Sequence, residues 1–359
     1  MVWYRYKTER GGLDVATLKE LADRTGYSQT TISRILSGDP TLSVTPEARR
    51  RVLEEAGRLN YAATRSRRGR APKEVLRVGV AEMLTPAQQL EDPYYLYLSS
   101  FVRQECREKK YACLPMEARG DGFLPPAGEG LDGVVAIGLF TPAQIEGLAA
   151  VSPNVVFVDS SPFESCFDSV VLGYELGISL ALEHLTGLGH RHIGFVGPEY
   201  KLDDRRGRAP EVRRQLFVRL MGERGLLDEG VMLDCPMEVS VAERAVAEFL
   251  ASGAPRPTAF VCANEESAIG AVRAVREAGL NVPGDLSVVS FNDTPRSALV
   301  DPPLTSVSTH VEEMARTALR LLGERAGMRG KPPVRTVPLK VVVPPSLVVR
   351  ESSGPAGEC

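Results

Sequence analysis

Two rhythms of apolar residues divide the chain. Between about Ala16 and Tyr61 they recur at helical spacing: Leu18, Leu21 and Ala22, then Ile32, Ile35 and Leu36, then Val52, Leu53, Ala56 and Leu59. Residues three and four apart share a helix face, so each set predicts one buried stripe on a short helix. The punctuation agrees. Thr17 with Glu20 three residues on has the spacing of a capping box. Gly26 falls in a tight turn, Ser28 caps the second helix, Gly38 follows its end, and Pro46 suits the first turn of the third. Three helices of this size make a helix-turn-helix module.

From about Val75 the rhythm changes. Short β-rich runs, "VLRVGVAEM", "DGVVAIG", "NVVFVDSS", "HIGFVG", "TAFVCAN" and "LSVVSFND", alternate with amphipathic stretches that begin near Tyr94, Pro142, Tyr174, Glu211, Val241, Glu265 and Val311. Nearly continuous apolar strands separated by helices predict parallel, doubly wound sheets covered on both faces. The strands end in Asp, Ser, Gly or Asn, at the edge where an open α/β sheet presents ligand-binding groups. Residues 1–15 form an extension, 16–61 the helical head, 62–74 a connector, 75–352 the body and 353–359 a tail.

Composition adds charge asymmetry to this picture. The 359 residues carry a net charge of −3, yet Met1–Lys73 holds 15 Lys+Arg against 8 Asp+Glu, so +7, leaving −10 for the remainder. A basic head on an acidic body is a footprint for a polyanion confined to the head. The six cysteines lack any C-x-x-C spacing and several lie in apolar runs, which reads as buried thiols in a reducing cytosol rather than a disulfide or metal framework. No apolar run approaches the roughly 20 residues of a membrane span, and the first residues lack a signal-peptide core, so a cytoplasmic protein is expected.

The exposed face of the second helix carries short amides, hydroxyls and one arginine where a merely soluble helix would carry Glu and Lys. In helix-turn-helix geometry its N-terminal end enters the major groove. Gln29 and Thr30 would meet base edges and Arg34 a guanine, while Ser28, Thr31 and Ser33 would hold phosphates. The alternative is a helix pair that only packs or binds protein.

These residues carry a resemblance. "TLKELA", the Gly, Ser, Thr and Ser-Arg positions of "GYSQTTISRIL", and the "RRRVLEEAGRLNY" segment resemble the head of the Lac-repressor (LacI/GalR) family, and the likeness extends from Val75 to Ser352. Within the family, "EDPYY", "VVFVDSSP", "FDSVVLGYE", "SFNDT" and "PPLTSV" resemble the evolved-β-galactosidase repressor branch. The resemblance implies base reading by Gln29, Thr30 and Arg34, a domain ending at Asn60 and Tyr61, and a periplasmic-binding-protein-like body of two lobes. The N-lobe is expected at about 75–161 and 293–323, and the C-lobe at about 162–292 and 324–352. Relatives insert a leucine into the minor groove from a hinge helix. Here "AATRSRRGRAPK" has no Leu, Ile, Met or Phe. Arg65, Arg67, Arg68 and Arg70 instead offer contacts to phosphates or to a narrow A·T minor groove; the alternative is a solvated linker.

A two-lobed body suits a small polar ligand whose buried hydroxyls need charged or amide partners. The resemblance places Tyr95, Asp159, Arg213, Asn264 and Asn292 in an effector cleft, with Tyr94 and Glu265 beside them. Each has a plainer reading: Asp159 capping a turn, Asn264 capping a helix, Arg213 as a surface arginine, Tyr94 as core. "GHRH" at 189–192 offers two histidines with no third ligand nearby, so no metal or cofactor is expected. G-x-S-x-G, P-loop and dinucleotide fingerprints are missing, which disfavours an enzyme. The expectation is a homodimeric regulator, a repressor of sugar (galactoside-type) utilisation. It binds double-stranded operator DNA and is relieved by a sugar effector. A body that only dimerises is the alternative.

Overall fold

The computed structural model describes residues 18–36, 39, 42, 44–58, 75–91, 93–120, 122–125, 130–327 and 332–357. The chain forms two compact units, Met1–Lys73 and Glu74–Cys359.

The head contains α1 (Leu18–Thr25), α2 (Gln29–Leu36) and α3 (Pro46–Arg58). Leu21, Ile32, Ile35, Val52 and Ala56 form its core, with Ala22, Tyr27, Leu36, Leu42 and Val44 packed against it. Gly26 turns the chain at φ +77°; a Cβ there would touch nothing, so the backbone angle alone demands glycine. Leu53, expected in the core face of α3, is instead 51% exposed, because the stripe is carried by Val52 and Ala56 at i, i+4 and Leu53 lies beside it. Thr17, Gly38 and Leu59 fall outside the described residues.

The body begins with β1 (Arg77–Glu82), α4 (Pro86–Glu91), α5 (Pro93–Glu108), β2 (Ala112–Pro115), β3 (Glu117–Arg119), β4 (Gly122–Leu124), β5 (Gly133–Ile137), α6 (Pro142–Val151), β6 (Val155–Val158) and β7 (Asp168–Leu172). It continues through α7 (Tyr174–Gly187), β8 (Ile193–Val196), β9 (Tyr200–Leu202), β10 (Arg208–Pro210), α8 (Val212–Glu223), β11 (Met232–Leu233), α9 (Val239–Ala251), β12 (Ala259–Cys262), α10 (Glu265–Glu277), β13 (Ser287–Asn292) and β14 (Thr305–Ser308). It closes with α11 (Val311–Ala326), β15 (Lys340–Val343) and β16 (Ser346–Val348).

Two six-stranded sheets build two lobes. The first has the order β15-β7-β6-β5-β1-β2 and is parallel throughout. The second has the order β11-β8-β12-β13-β14-β16, parallel except for β16. Alternation along each strand feeds two cores, as period-2 geometry requires. In β6, Val156 and Val158 pack under α5 and α11, whereas Val155 and Phe157 join Phe140 and Ile145 on the other face. In β12, Ala259 and Val261 pack toward α7 and α8, and Phe260 and Cys262 toward α9 and α10. Each fully buried side chain of this kind contributes about 1.5–3 kcal/mol. Gly177 lets α7 lie close on its sheet, since a Cβ there would stand 2.7 Å from the Phe291 ring.

Sheet membership corrects the expected lobe boundaries. β7 and β15, placed in the C-lobe by the sequence reading, pair in the first sheet; β14, placed in the N-lobe, pairs in the second. The chain therefore crosses between lobes after β7, after β14 and after β15. Of the described cysteines, Cys106, Cys235 and Cys262 are buried, Cys113 is half-buried and Cys166 is exposed. Among the described residues no helix is long and apolar enough to cross a membrane.

Candidate functional site

In the head, Ser28 stops the backbone from fraying ahead of α2. Its Oγ accepts from the Thr31 amide at 3.1 Å and shares a hydrogen bond with the Thr31 hydroxyl at 2.8 Å. With Ile32 and Ile35 buried, Gln29, Thr30 and Ser33 are exposed on the opposite side. Arg34 is held differently from expectation: its Nε donates to Asp39 Oδ2 at 2.8 Å. Thr17, Asn60, Tyr61, Arg65, Arg67, Arg68 and Arg70 lie outside the described residues.

In the body, a cavity of about 280 Å³ lies between the lobes, lined by Tyr94, Tyr95, Asp159, Arg213, Asn264 and Asn292 among others. Asp159 follows β6 at φ +70°, and Asn292 ends β13 at φ +99°. Such angles are uncommon for residues with a Cβ and persist where surrounding structure fixes them. Among the described residues, seven non-glycine residues have positive φ, and four of them (Asp159, Phe163, Arg206 and Asn292) line this cavity or an adjoining one.

The N-lobe side is built on Asp159. Its carboxylate accepts from Tyr95 Oη at 2.9 Å, Tyr94 Oη at 3.2 Å and Tyr174 Oη at 3.4 Å. Tyr94 is also core: it is buried in the cluster that holds Leu98 and Met314, and its hydroxyl donates to Asp159 at the cavity. Burial raises the Asp159 pKa above its ordinary value, against the pull of Lys201, the tyrosine hydroxyls and Arg213. Burial and the neighbouring carboxylate also raise the Tyr94 and Tyr174 hydroxyls, so these stay protonated donors.

The C-lobe side is a charge cluster. Arg213 is buried; its Nε donates to Glu211 Oε1 at 2.8 Å and its Nη1 to the Ala263 carbonyl. Its guanidinium lies 5.7 Å from the Tyr174 ring centre and 5.8 Å from that of Phe291. Glu211 is fully buried, caps α8 by accepting from the Arg214 amide at 2.9 Å, and faces Lys201 Nζ at 3.8 Å. Burial alone would raise the Glu211 pKa, but Arg213 and Lys201 bring it below the ordinary value. Lys201 is lowered, by burial first and then by Arg213.

Asn264 lines the cavity and is also the N-cap of α10: its Oδ1 accepts from the Ser267 amide at 2.9 Å, and its Nδ2 donates to Glu266 and to the Met237 carbonyl. Glu265 is a correction. Its carboxylate is buried and bonded to the Thr294 and Ser297 hydroxyls, away from the residues that line the cavity. Helical rotation explains this, since the residue after the N-cap points into the α10–β13 junction. In "GHRH", His190 bonds Thr258 and the Gly354 carbonyl, and His192 bonds Asp228 and the Arg256 carbonyl.

Sequence reasoning missed Glu211, Lys201 and Tyr174 as site residues. Lys201 arrives on the β9–β10 hairpin, inside the stretch "EYKLDDRRGRAPEV", whose length was its only signal. Tyr174 and Glu211 were visible only as the starts of helices.

Comparison with known proteins gives this geometry a context. Residues 182–353 match the periplasmic binding protein-like domain family. The HTH-type transcriptional repressor MelR of Bacillus subtilis (strain 168) is 32% identical over 345 residues, covering 94% of this chain and 97% of that one. A transcriptional regulator CelR–cellobiose complex superposes with a TM-score of 0.63 at 24% identity, over 94% of this chain and 99% of that one. The Lac repressor dimer bound to operator and the anti-inducer ONPF does so with a TM-score of 0.60 at 22% identity, over 95% and 100%. The structural likenesses speak for the fold; the sequence likeness to MelR over nearly the whole of both chains speaks for descent. A helix-turn-helix head joined to a two-lobed periplasmic-binding-protein-like body is thus a DNA-binding transcriptional regulator and not an enzyme, and the chain belongs to the LacI/GalR family.

Proposed function

We propose that the protein is a repressor of sugar-utilisation genes whose operator affinity is set by a sugar held between the lobes. The single observation that carries this is the pairing of the Asp159 carboxylate, which accepts from tyrosine hydroxyls, with Arg213 and Lys201 across a cavity of about 280 Å³. A sugar hydroxyl donates to a carboxylate and accepts from a guanidinium at once, so it satisfies both walls. A buried hydroxyl without such partners would cost about 1–3 kcal/mol. The ligand shifts operator affinity only as far as its affinities for two lobe arrangements differ.

Gln29, Thr30 and Arg34 read bases, and Ser28, Thr31 and Ser33 set the register on phosphates. The protein acts in the cytoplasm as a homodimer on a pseudo-palindromic operator; a Lac repressor dimer bound to operator shares its fold and supports the dimer. The effector class within this reading is a galactoside. Its support is the likeness of "EDPYY", "VVFVDSSP" and "SFNDT" to the evolved-β-galactosidase repressor branch.

A thermal-shift screen of the full chain against mono- and disaccharides, followed by operator binding with each hit, tests the proposal. A ligand at about 100 times its Kd stabilises by roughly 2.7 kcal/mol. In the second arm, Gln29→Ala relaxes base discrimination at one position by about 1–3 kcal/mol. Hits that stabilise the body yet leave operator binding unmoved would defeat the repressor reading.

A further inference from the structure

We infer that the ligand site is bipartite: beyond the inner cavity lies a second subsite, walled by Phe163 and the β9–β10 hairpin, that makes a disaccharide or larger glycoside the effector class. The inference rests on the sugar reading above and deepens it.

Two cavities adjoin. The inner one, about 280 Å³, falls just below the usual range for small-molecule sites of roughly 300–1,000 Å³. The outer one is about 630 Å³ and shares with it Tyr95, Asp159, Tyr174 and Lys201, so the two are continuous past the Asp159 carboxylate. The inner cavity holds the deep polar groups. The outer one has a different chemistry, suited to a second ring: an aromatic face ringed by short polar and charged side chains.

The aromatic face is Phe163, on the N-lobe segment between β6 and β7. It is 44% exposed and sits at φ +52°, a left-handed angle that a bulky side chain rarely adopts. The segment is tied down on both sides. Lys340 Nζ meets Glu164 Oε1 at 2.6 Å, and the Cys166 amide donates to the Phe163 carbonyl at 2.8 Å. A large apolar ring held outward in a fixed, strained backbone is a built surface.

The opposite wall comes from the C-lobe. The turn between β9 and β10 is shaped by Asp203, whose Oδ1 accepts from the amides of Arg205 at 2.9 Å and Gly207 at 2.7 Å. This places the Arg205 guanidinium 5.5 Å from the centre of the Phe163 ring, so one residue from each lobe meets across the outer cavity. A pyranose ring has the complementary character, with C–H bonds on its face and hydroxyls around its edge. Bound there, it contacts Phe163 by its face and Arg205, Asp204 or Lys340 by its edge. Both units of the ligand then touch both lobes, and each adds to the preference for one lobe arrangement.

The test is isothermal titration of the full chain with methyl β-galactoside, lactose, melibiose and cellobiose, in the wild type, Phe163→Ala and Arg205→Ala. The expected result is that at least one disaccharide binds about ten-fold or more tightly than methyl β-galactoside. Either substitution then brings that ratio down toward one. Arg205 is exposed on a hairpin turn, so its variant keeps the test available if Phe163→Ala does not fold. Equal affinities for one-unit and two-unit sugars in the wild type, or equal losses for both in the variants, overturn the second subsite and leave the sugar reading standing. Failure of the wild type to bind any of the four overturns the sugar reading, and this inference with it.

Discussion

The two walls of the inter-lobe cavity use opposite electrostatic strategies. On the N-lobe wall, Asp159 is a half-buried carboxylate whose hydrogen bonds come from neutral tyrosine hydroxyls, and desolvation raises its pKa. On the C-lobe side, Glu211 is more deeply buried, yet Arg213 and Lys201 hold its pKa below the ordinary value. One wall thus keeps an acceptor in reserve, at a cost to the ligand-free fold. The other satisfies its own charges and presents what remains of a cation cluster. The difference teaches that carboxylates on the two sides of one cavity can be held in opposite ways, and that their partners decide which.

The largest effect should come from breaking the self-satisfied wall. Glu211→Ala leaves Arg213 buried without its carboxylate, and removing one partner of a buried pair costs about 3–5 kcal/mol. Urea denaturation of the full chain reads this as a lower midpoint for the body. A variant as stable as the wild type would mean that Glu211 does not compensate Arg213, and the comparison between the walls would collapse.

Asp159→Asn should act in the opposite sense on stability while costing recognition. The amide keeps an acceptor for the tyrosines but loses the charge, so sugar affinity falls by about 1.5–3 kcal/mol, roughly 10- to 150-fold, the worth of a hydrogen bond to a charged group. Without sugar, the variant should be the more stable protein near neutral pH. The folded pKa of Asp159 lies above its ordinary 3.8, so its favourable contribution is present below 3.8 and is lost as pH rises through the folded value. Glu211 runs the other way. Its contribution is present above its ordinary 4.5 and is lost as pH falls through the folded value. Melting temperatures between pH 3 and 7 should therefore show the wild type losing ground to Asp159→Asn as pH rises, and to Glu211→Gln as pH falls. Parallel curves for the two variants would erase the distinction between the walls.

How far the sequence foretold this cavity follows the same division. The N-lobe wall was legible, because Tyr94, Tyr95 and Asp159 stand at the start of an amphipathic helix and the end of an apolar strand, where local pattern and position coincide. The starts of α5 to α11 were legible for the same reason. The C-lobe wall was legible in Arg213, Asn264 and Asn292, but not in Lys201 or Glu211. Lys201 reaches the site on a hairpin whose strands are three residues each, too short for a period to show, and Glu211 reads locally as no more than a helix cap. Lobe membership was misread at β7, β14 and β15, because a strand's sheet is decided by its partner. Lys340 pairs with Ser169 and Thr305 with Val289, and nothing in either segment names the other. β14 was obscured further by its composition: Thr305 and Ser306 are buried but polar, with Thr305 bonded to Arg350, Ser352 and Ser353, which hides the apolar run that marks the other strands.

The smallest effect separates the two roles of Asn264, which stands on the C-lobe wall but faces the cavity. Its Oδ1 is committed to the Ser267 amide and its Nδ2 to Glu266 and the Met237 carbonyl, so protein groups already occupy it as they do Glu211. Asn264→Ala should then behave as the loss of an N-cap, costing about 0.5–2 kcal/mol of stability. Asn264→Asp restores the acceptor and a favourable charge at the N-terminus of α10 but sets a carboxylate beside Glu266, so it should recover only part of that loss. Measured by denaturation and by sugar titration on the same samples, the alanine variant should lose more in stability than in affinity. The reverse order, with affinity lost and stability kept, would move Asn264 from the self-satisfied wall to the side of Asp159 and redraw the line between recognition and scaffold through the middle of the C-lobe.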